Sequence, residues 1–110
     1  MLLAFLTMTA FPTEKWLTIT EDRIELTFNN EMKADDLKLI KEQLSEKNIT
    51  INFTSKTFNK EGYLTSIIFE VDCNDGFSGS ASSRWLTKFS NIGFYRDYQS
   101  SCSFGTGTIK

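Results

Sequence analysis

The chain contains no histidine. That absence removes Ser-His-Asp and Cys-His nucleophilic centres, which need an imidazole base. It also removes H-E-x-x-H zinc proteases and the imidazole ligands of most zinc sites. Only two cysteines are present, too few by themselves for an ordinary structural zinc centre. A basic excess is missing as well: 12 Lys and Arg stand against 14 Asp and Glu, a formal net charge of −2. Nucleic-acid binders carry the opposite balance, and no polybasic run marks a membrane patch. With one proline and 24% charged residues, the composition is not that of a disordered chain.

What is present is a core. The 110 residues suit one domain. Hydrophobic residues make up 40% of them, and ten are phenylalanine. A chain of this size buries roughly two thirds of its unfolded surface, so most of these rings belong inside or at a contact.

The N-terminus, "MLLAFLTMTAFP" (residues 1–12), is a hydrophobic segment. About eleven mostly apolar residues suit a signal-peptide core and fall well short of the ~20 that span a bilayer. No Lys or Arg precedes them, and no clear A-x-A site follows. Two readings stay open: a signal or membrane-anchor remnant with Trp16 at the interface, or a buried first strand or helix. Residues 13–110 are expected to form a single α+β domain.

Residues Trp16 to Phe28 alternate apolar and polar, with a change of phase at "TED". The pattern predicts a hairpin or a bulged strand, with Ile24, Leu26 and Phe28 facing the core. Leu37, Ile40 and Leu44 then recur at helical spacing opposite Lys38, Lys41, Glu42 and Glu46. Asp35 and Asp36 favour the helix start, and Asn48 is a candidate left-handed cap. Two alternating runs, Ile49–Thr54 and Ser66–Val71, flank "NKEG" and predict an antiparallel hairpin turning at Gly62. The expected fold is α+β: a mainly antiparallel sheet with β-α-β-β order and one principal helix packed on it. "GFSGSASS" reads as a small-residue loop. Trp85, Phe89 and Ile92 lie at helical spacing, with Gly93 as a stop, and predict a short second helix.

"DCNDGFSGS" (Asp72–Ser80) suggests two chemistries, and neither survives. A calcium loop beginning at Asp72 would need an oxygen ligand at its fifth position and glutamate at its twelfth. It has Gly76 and Ser83 there. A nucleophilic Ser78 has no histidine to activate it, and nothing places Lys88 as a substitute. Asn74-Asp75-Gly76 is a turn signal directly after a strand. The carboxylate pairs Asp35-Asp36 and Glu21-Asp22 are sequence neighbours and do not face one site. Asn48 and Asn52 match the short N-glycosylation pattern, which helix end and strand start explain equally well. Neither a catalytic residue, nor a metal site, nor a cofactor site is expected.

Arg84, Trp85, Lys88, Phe89, Phe94, Tyr95, Arg96 and Tyr98 interleave basic and aromatic groups. Such a set packs a core or forms a contact surface. The candidate partner-binding residues are Arg84, Trp85, Tyr95, Arg96 and Tyr98, with Tyr95 and Arg96 expected to be exposed. Cys73 and Cys102 would be ordinary thiols in a reducing cytosol and one disulfide outside it.

The run "LKLIKEQLSEKNITINFTSKTFNKEGYLTSIIFEVDCNDGFSGS" resembles a small extracytoplasmic module of bacterial membrane-bound antirepressor metallopeptidases, relatives of penicillin-sensing regulators. The likeness rests on the helix ending in K-N-I, the aromatic strand, the N-K-E-G turn, "GFSGS" and "IGFYRDYQSSCSFGTG". It covers about residues 33 to 107. The peptidase of that family needs an H-E-x-x-H helix, which this chain lacks, so its activity and metal do not carry over. The resemblance implies an envelope location and an accessory or sensory role, which a Cys73–Cys102 bridge would suit. The function expected is a non-catalytic extracytoplasmic module that binds a protein or an envelope component, without nucleic acid, and near the membrane through its N-terminal segment. A small secreted inhibitor or immunity-type protein is the alternative.

Overall fold

The computed structural model describes residues 16–99 and 103–109. Among them the order is β1 (Leu17–Ile19), β2 (Arg23–Phe28), α1 (Ala34–Ser45), β3 (Thr50–Phe58), β4 (Leu64–Asp72), β5 (Ser78–Ser83), β6 (Ile92–Asp97) and β7 (Phe104–Thr108). The class is α+β, with one helix and antiparallel pairing throughout. Along the chain, β2, α1, β3 and β4 follow one another, but they do not share one sheet. Instead there are two, β1-β2-β6-β7 and β3-β4-β5.

The helix follows its sequence closely. Leu37, Ile40 and Leu44 are buried. At its start the Asp36 carboxylate accepts the Lys33 N–H at 2.9 Å, which satisfies one of the donors a helix terminus leaves open. At its end Asn48 takes φ 62°, and the N–H groups of Asn48 and Ile49 donate to the carbonyls of Ser45 and Leu44. Asparagine tolerates this left-handed step better than other non-glycine residues. The chain then leaves into β3.

The β3–β4 hairpin turns where expected. The Asn59 side-chain oxygen accepts from the N–H groups of Glu61 and Tyr63, each at 3.0 Å, and Gly62 supplies φ 91°. A bulge between Phe53 and Ser55 shifts the pairing, so that Lys56 stands opposite Ile67. Beyond the bulge β3 is exposed from Thr54 to Thr57. A bulge and a charged, exposed lysine on an edge strand discourage pairing with another chain.

The two sheets face each other across a single core. Ile24, Leu26, Phe28 and Phe94 from one sheet join Ile51, Ile67, Phe69 and Val71 from the other, together with Leu37, Ile40 and Leu44 of the helix. The Phe28 ring sits 5.0 Å from Phe69 and 6.0 Å, edge-on, from Phe53, geometries that aromatic pairs prefer. The helix packs beside β3, while β5 lies against β7.

Two expectations are corrected by this arrangement. "GFSGSASS" supplies strand β5 and not a loop. Its small residues are needed for proximity: a Cβ on Gly79 would meet the side chains of Thr106 and Phe104 at 3.1–3.3 Å. The aromatic C-terminal stretch forms the β6–β7 hairpin, with Gly93 inside β6. The residues between β5 and β6 form a loop and not a second helix. Leu86 is buried there, whereas Trp85 and Phe89 are not, so the helical spacing marked no apolar face.

Candidate functional site

Strand directions collect the loops at two ends of the molecule. One end carries the β1–β2 turn, the β4–β5 turn and the chain between β6 and β7. Arg96 organises it. Its Nε and Nη2 both donate to Asp75 Oδ2, at 2.9 and 2.6 Å. Its Nη1 donates to the carbonyl of Asp97 at 2.9 Å and to that of Ser103 at 3.4 Å. The guanidinium lies 4.6 Å from the Phe77 ring centroid and 4.4 Å from that of Tyr98, a stacked cation–π arrangement. Arg96 is only 8% exposed. The expectation that it is an exposed contact residue is therefore corrected: it is a clamp between the β4–β5 turn and the β6–β7 hairpin. Only the middle of "DCNDGFSGS" is the turn expected, Cys73 to Phe77 between β4 and β5, with Asn74 and Gly76 at positive φ; Ser78–Ser80 belong to β5.

Tyr95 lies on the outer face of the larger sheet. Its ring runs across Gly105, where a Cβ would collide with it. The Arg23 guanidinium sits 4.5 Å above that ring. Arg23 also pairs with Glu25 at 2.8 Å and Asp97 at 3.4 Å, and the bond to Glu25 chiefly raises its pKa. Tyr95 is half-buried and occupied within the fold. Tyr98 is 44% exposed but shares its ring with Arg96; burial raises its pKa.

The opposite end is different. The loop between β5 and β6 is tied down by its backbone. Leu86 N–H donates to the Thr65 carbonyl at 3.0 Å, and the Thr87 carbonyl accepts from Asn30 N–H and Ser90 N–H, both at 3.2 Å. Ser90 Oγ accepts the Thr87 N–H at 2.8 Å, and Thr87 Oγ1 the Phe89 N–H at 3.1 Å. Leu86 anchors the loop in the core. On that fixed frame Trp85 is 84% exposed and Phe89 79%. Arg84 and Lys88, also exposed, flank them, with Lys88 Nζ 5.2 Å from the Phe89 ring centroid.

The five residues expected to meet a partner are thus dispersed. Arg84 and Trp85 stand together at the loop end. Tyr95 is on a sheet face, and Arg96 and Tyr98 are at the far end. Phe89 and Lys88 complete the exposed set and belong with Arg84 and Trp85. Their residue types gave the signal; the error lay in treating chain proximity to Tyr95 and Arg96 as a shared surface.

Two grooves offer less. An open one of about 410 Å³ on the outer face of the smaller sheet is lined by Thr50, Asn52, Glu70, Asp72, Ser78 and Ser80. All six side chains are exposed, and none is aimed into a dry site. A second, of about 430 Å³, runs between α1 and β3 past Lys38, Lys41 and Lys56. There Lys41 Nζ donates to Asn52 Oδ1 at 3.4 Å, and Lys56 lies 5.6 Å from the Phe53 ring centroid.

Cys73 is buried and free; Cys102 lies outside the described residues, and so does the expected bridge. Burial, followed by the nearby Asp75 carboxylate, pushes the Cys73 thiol up to about 11 from 9.0. Because folding raises this pKa, the thiol's contribution to stability is complete below about pH 9 and is lost as pH rises through 11. In a reduced Cys102→Ser variant, native Cys73 should alkylate at pH 8 about a hundredfold more slowly than the unfolded chain, the ratio of their thiolate fractions. Alkylation at the unfolded rate would contradict the buried environment.

Among the described residues no group of three or more acidic, cysteine or histidine side chains is placed to hold a metal ion. No helix among them is long and apolar enough to cross a membrane. Comparison with known protein families, with curated proteins and with solved structures finds no match.

Proposed function

We propose that the protein is a non-catalytic module of the bacterial envelope that works by binding another macromolecule through the β5–β6 loop. The observation that carries this reading is the pair Trp85 and Phe89, held almost fully exposed on a loop whose backbone is fixed. Aromatic and arginine side chains dominate binding hot spots. Fully burying a side chain such as Phe89 is worth about 1.5–3 kcal/mol relative to exposure. A fold that leaves two such groups in water on a rigid frame has contact energy ready to use and little ordering entropy left to lose.

An extracytoplasmic location belongs to the same proposal. It is supported by the apolar segment ahead of Trp16 and by the resemblance described above, with which a bridge between Cys73 and Cys102 would agree. A Cys73–Cys102 bridge would close a loop of about 30 residues and contribute roughly 3–4 kcal/mol in the chain-entropy model.

Photocross-linking in cells tests the binding surface. A photoreactive side chain in place of Trp85 should give a discrete adduct, to protein or to lipid. The same group in place of Glu70, on the outer face of the smaller sheet, should give none. Adducts from position 70 and not from position 85 would reject the loop as the contact.

A further inference from the structure

Resting on that binding reading, we infer that the occupant of the β5–β6 loop is an anionic lipid surface, into whose interfacial layer Trp85 and Phe89 insert. Side-chain chemistry is the first ground. Trp85 and Phe89 are apolar groups exposed on the β5–β6 loop, and Arg84 and Lys88 flank them in the chain. Apolar rings in the acyl boundary with basic groups at headgroup level are the arrangement that interfacial binding uses.

Charge placement is the second ground. The net charge of −2 conceals a local asymmetry. From Gly76 to Arg96 the chain holds no carboxylate. The loop end also carries Lys33, at the Tyr63 bridge, and Lys60, in the β3–β4 turn, which Glu31, Asp35, Asp36 and Glu61 balance, so the basic character is that of the loop itself, Arg84 and Lys88. Carboxylates instead crowd the far end, where Asp22, Asp72, Asp75 and Asp97 lie at or beside the turns. An anionic surface would attract Arg84 and Lys88 and repel the acidic far end, which sets one orientation.

Chain continuity is the third ground. The hydrophobic segment of residues 1–12 reaches the fold through Trp16, whose carbonyl accepts the Thr27 N–H at 2.9 Å. Asn30 N–H donates to the loop at Thr87. Thr27 and Asn30 are three residues apart, at most about 11 Å of extended chain. The segment therefore joins the fold on the side that carries Trp85. An apolar segment and an aromatic loop that meet at one end of the fold would face a lipid surface together.

The two tryptophans make this testable on the full chain. Trp16→Phe leaves Trp85 as the sole indole. Where that variant does not fold, subtracting the spectrum of Trp85→Phe from that of the parent isolates the same signal. With phosphatidylglycerol vesicles, Trp85 emission should shift to the blue and be quenched by brominated acyl chains. Arg84→Gln with Lys88→Gln should weaken that quenching, and added salt should do the same. Emission unchanged by vesicles overturns the inference. So does emission already blue before vesicles are added, since the ring is then covered by the chain's own N-terminal segment. A protein adduct from position 85 with Trp85 unmoved by vesicles rejects the lipid surface and leaves the binding module standing. No adduct and no shift together remove both.

Discussion

Replacing Phe69 by alanine should lower the unfolding free energy by about 3–5 kcal/mol. Phe69 sits in the middle strand of the smaller sheet and is fully buried. Its ring contacts Phe28 of the opposite sheet at 5.0 Å, so truncation opens a cavity at the junction of both layers. Neighbours can collapse only partly into such a space, and the loss exceeds the transfer energy of the ring alone. Domains of this size are stable by about 5–15 kcal/mol, so the variant should be close to unfolding at 37 °C. Ile68 is the internal control. One residue earlier, it points outward and is 44% exposed; Ile68→Ala should stay within about 0.5 kcal/mol of the parent. Urea midpoints decide it. Equal shifts for the two variants would mean that the sheets do not share one core.

Much of this architecture was legible because local chemistry and the final contacts agree. Leu37, Ile40 and Leu44 declare a helix face, Asn48 ends it, and Gly62 turns the hairpin. Where they disagree, the sequence misleads. Ser78–Ser83 has poor strand propensity and reads as a loop, yet those residues are small because β5 must lie against Phe104 and Thr106. Phe104–Thr108 is hidden in the same way, with Gly105 providing room for the Tyr95 ring. Pairing with a distant strand stabilises both segments, and no short window records that. Trp85 and Phe89 fall at a helical interval by coincidence; Leu86, out of phase with them, is the residue that enters the core. The exposed surface proposed for binding was half visible. Residue type pointed to Trp85 and Arg84, but nothing local separates them from Arg96, whose burial depends on a carboxylate 21 positions away.

Arg96 yields the second large effect, and its sign reverses what an exposed binding residue would give. Arg96→Ala should destabilise the protein by about 3–5 kcal/mol, the range for removing one partner of a buried ion pair. The Asp75 side chain is 33% exposed and can regain water, which moves the expected loss toward the lower bound. Lost packing works the other way. The guanidinium fills the space between the Phe77 and Tyr98 rings, and its departure leaves the Asp97 and Ser103 carbonyls without their donor. Arg96→Lys should recover less than half of the loss, because an ammonium cannot reproduce the planar fork or the double stack. Asp75→Asn should destabilise too, since it leaves a side chain only 10% exposed with an unpaired charge. In the double variant the penalties should fall short of their sum, as they do for groups in direct contact. Denaturant midpoints of the single and double variants provide the measurement. Full additivity, or an Arg96→Ala variant as stable as the parent, would mean that the clamp does not hold the two turns together. Because Arg96 and Trp85 lie at opposite ends, Arg96→Ala protein that remains folded should show the same loop cross-linking as the parent.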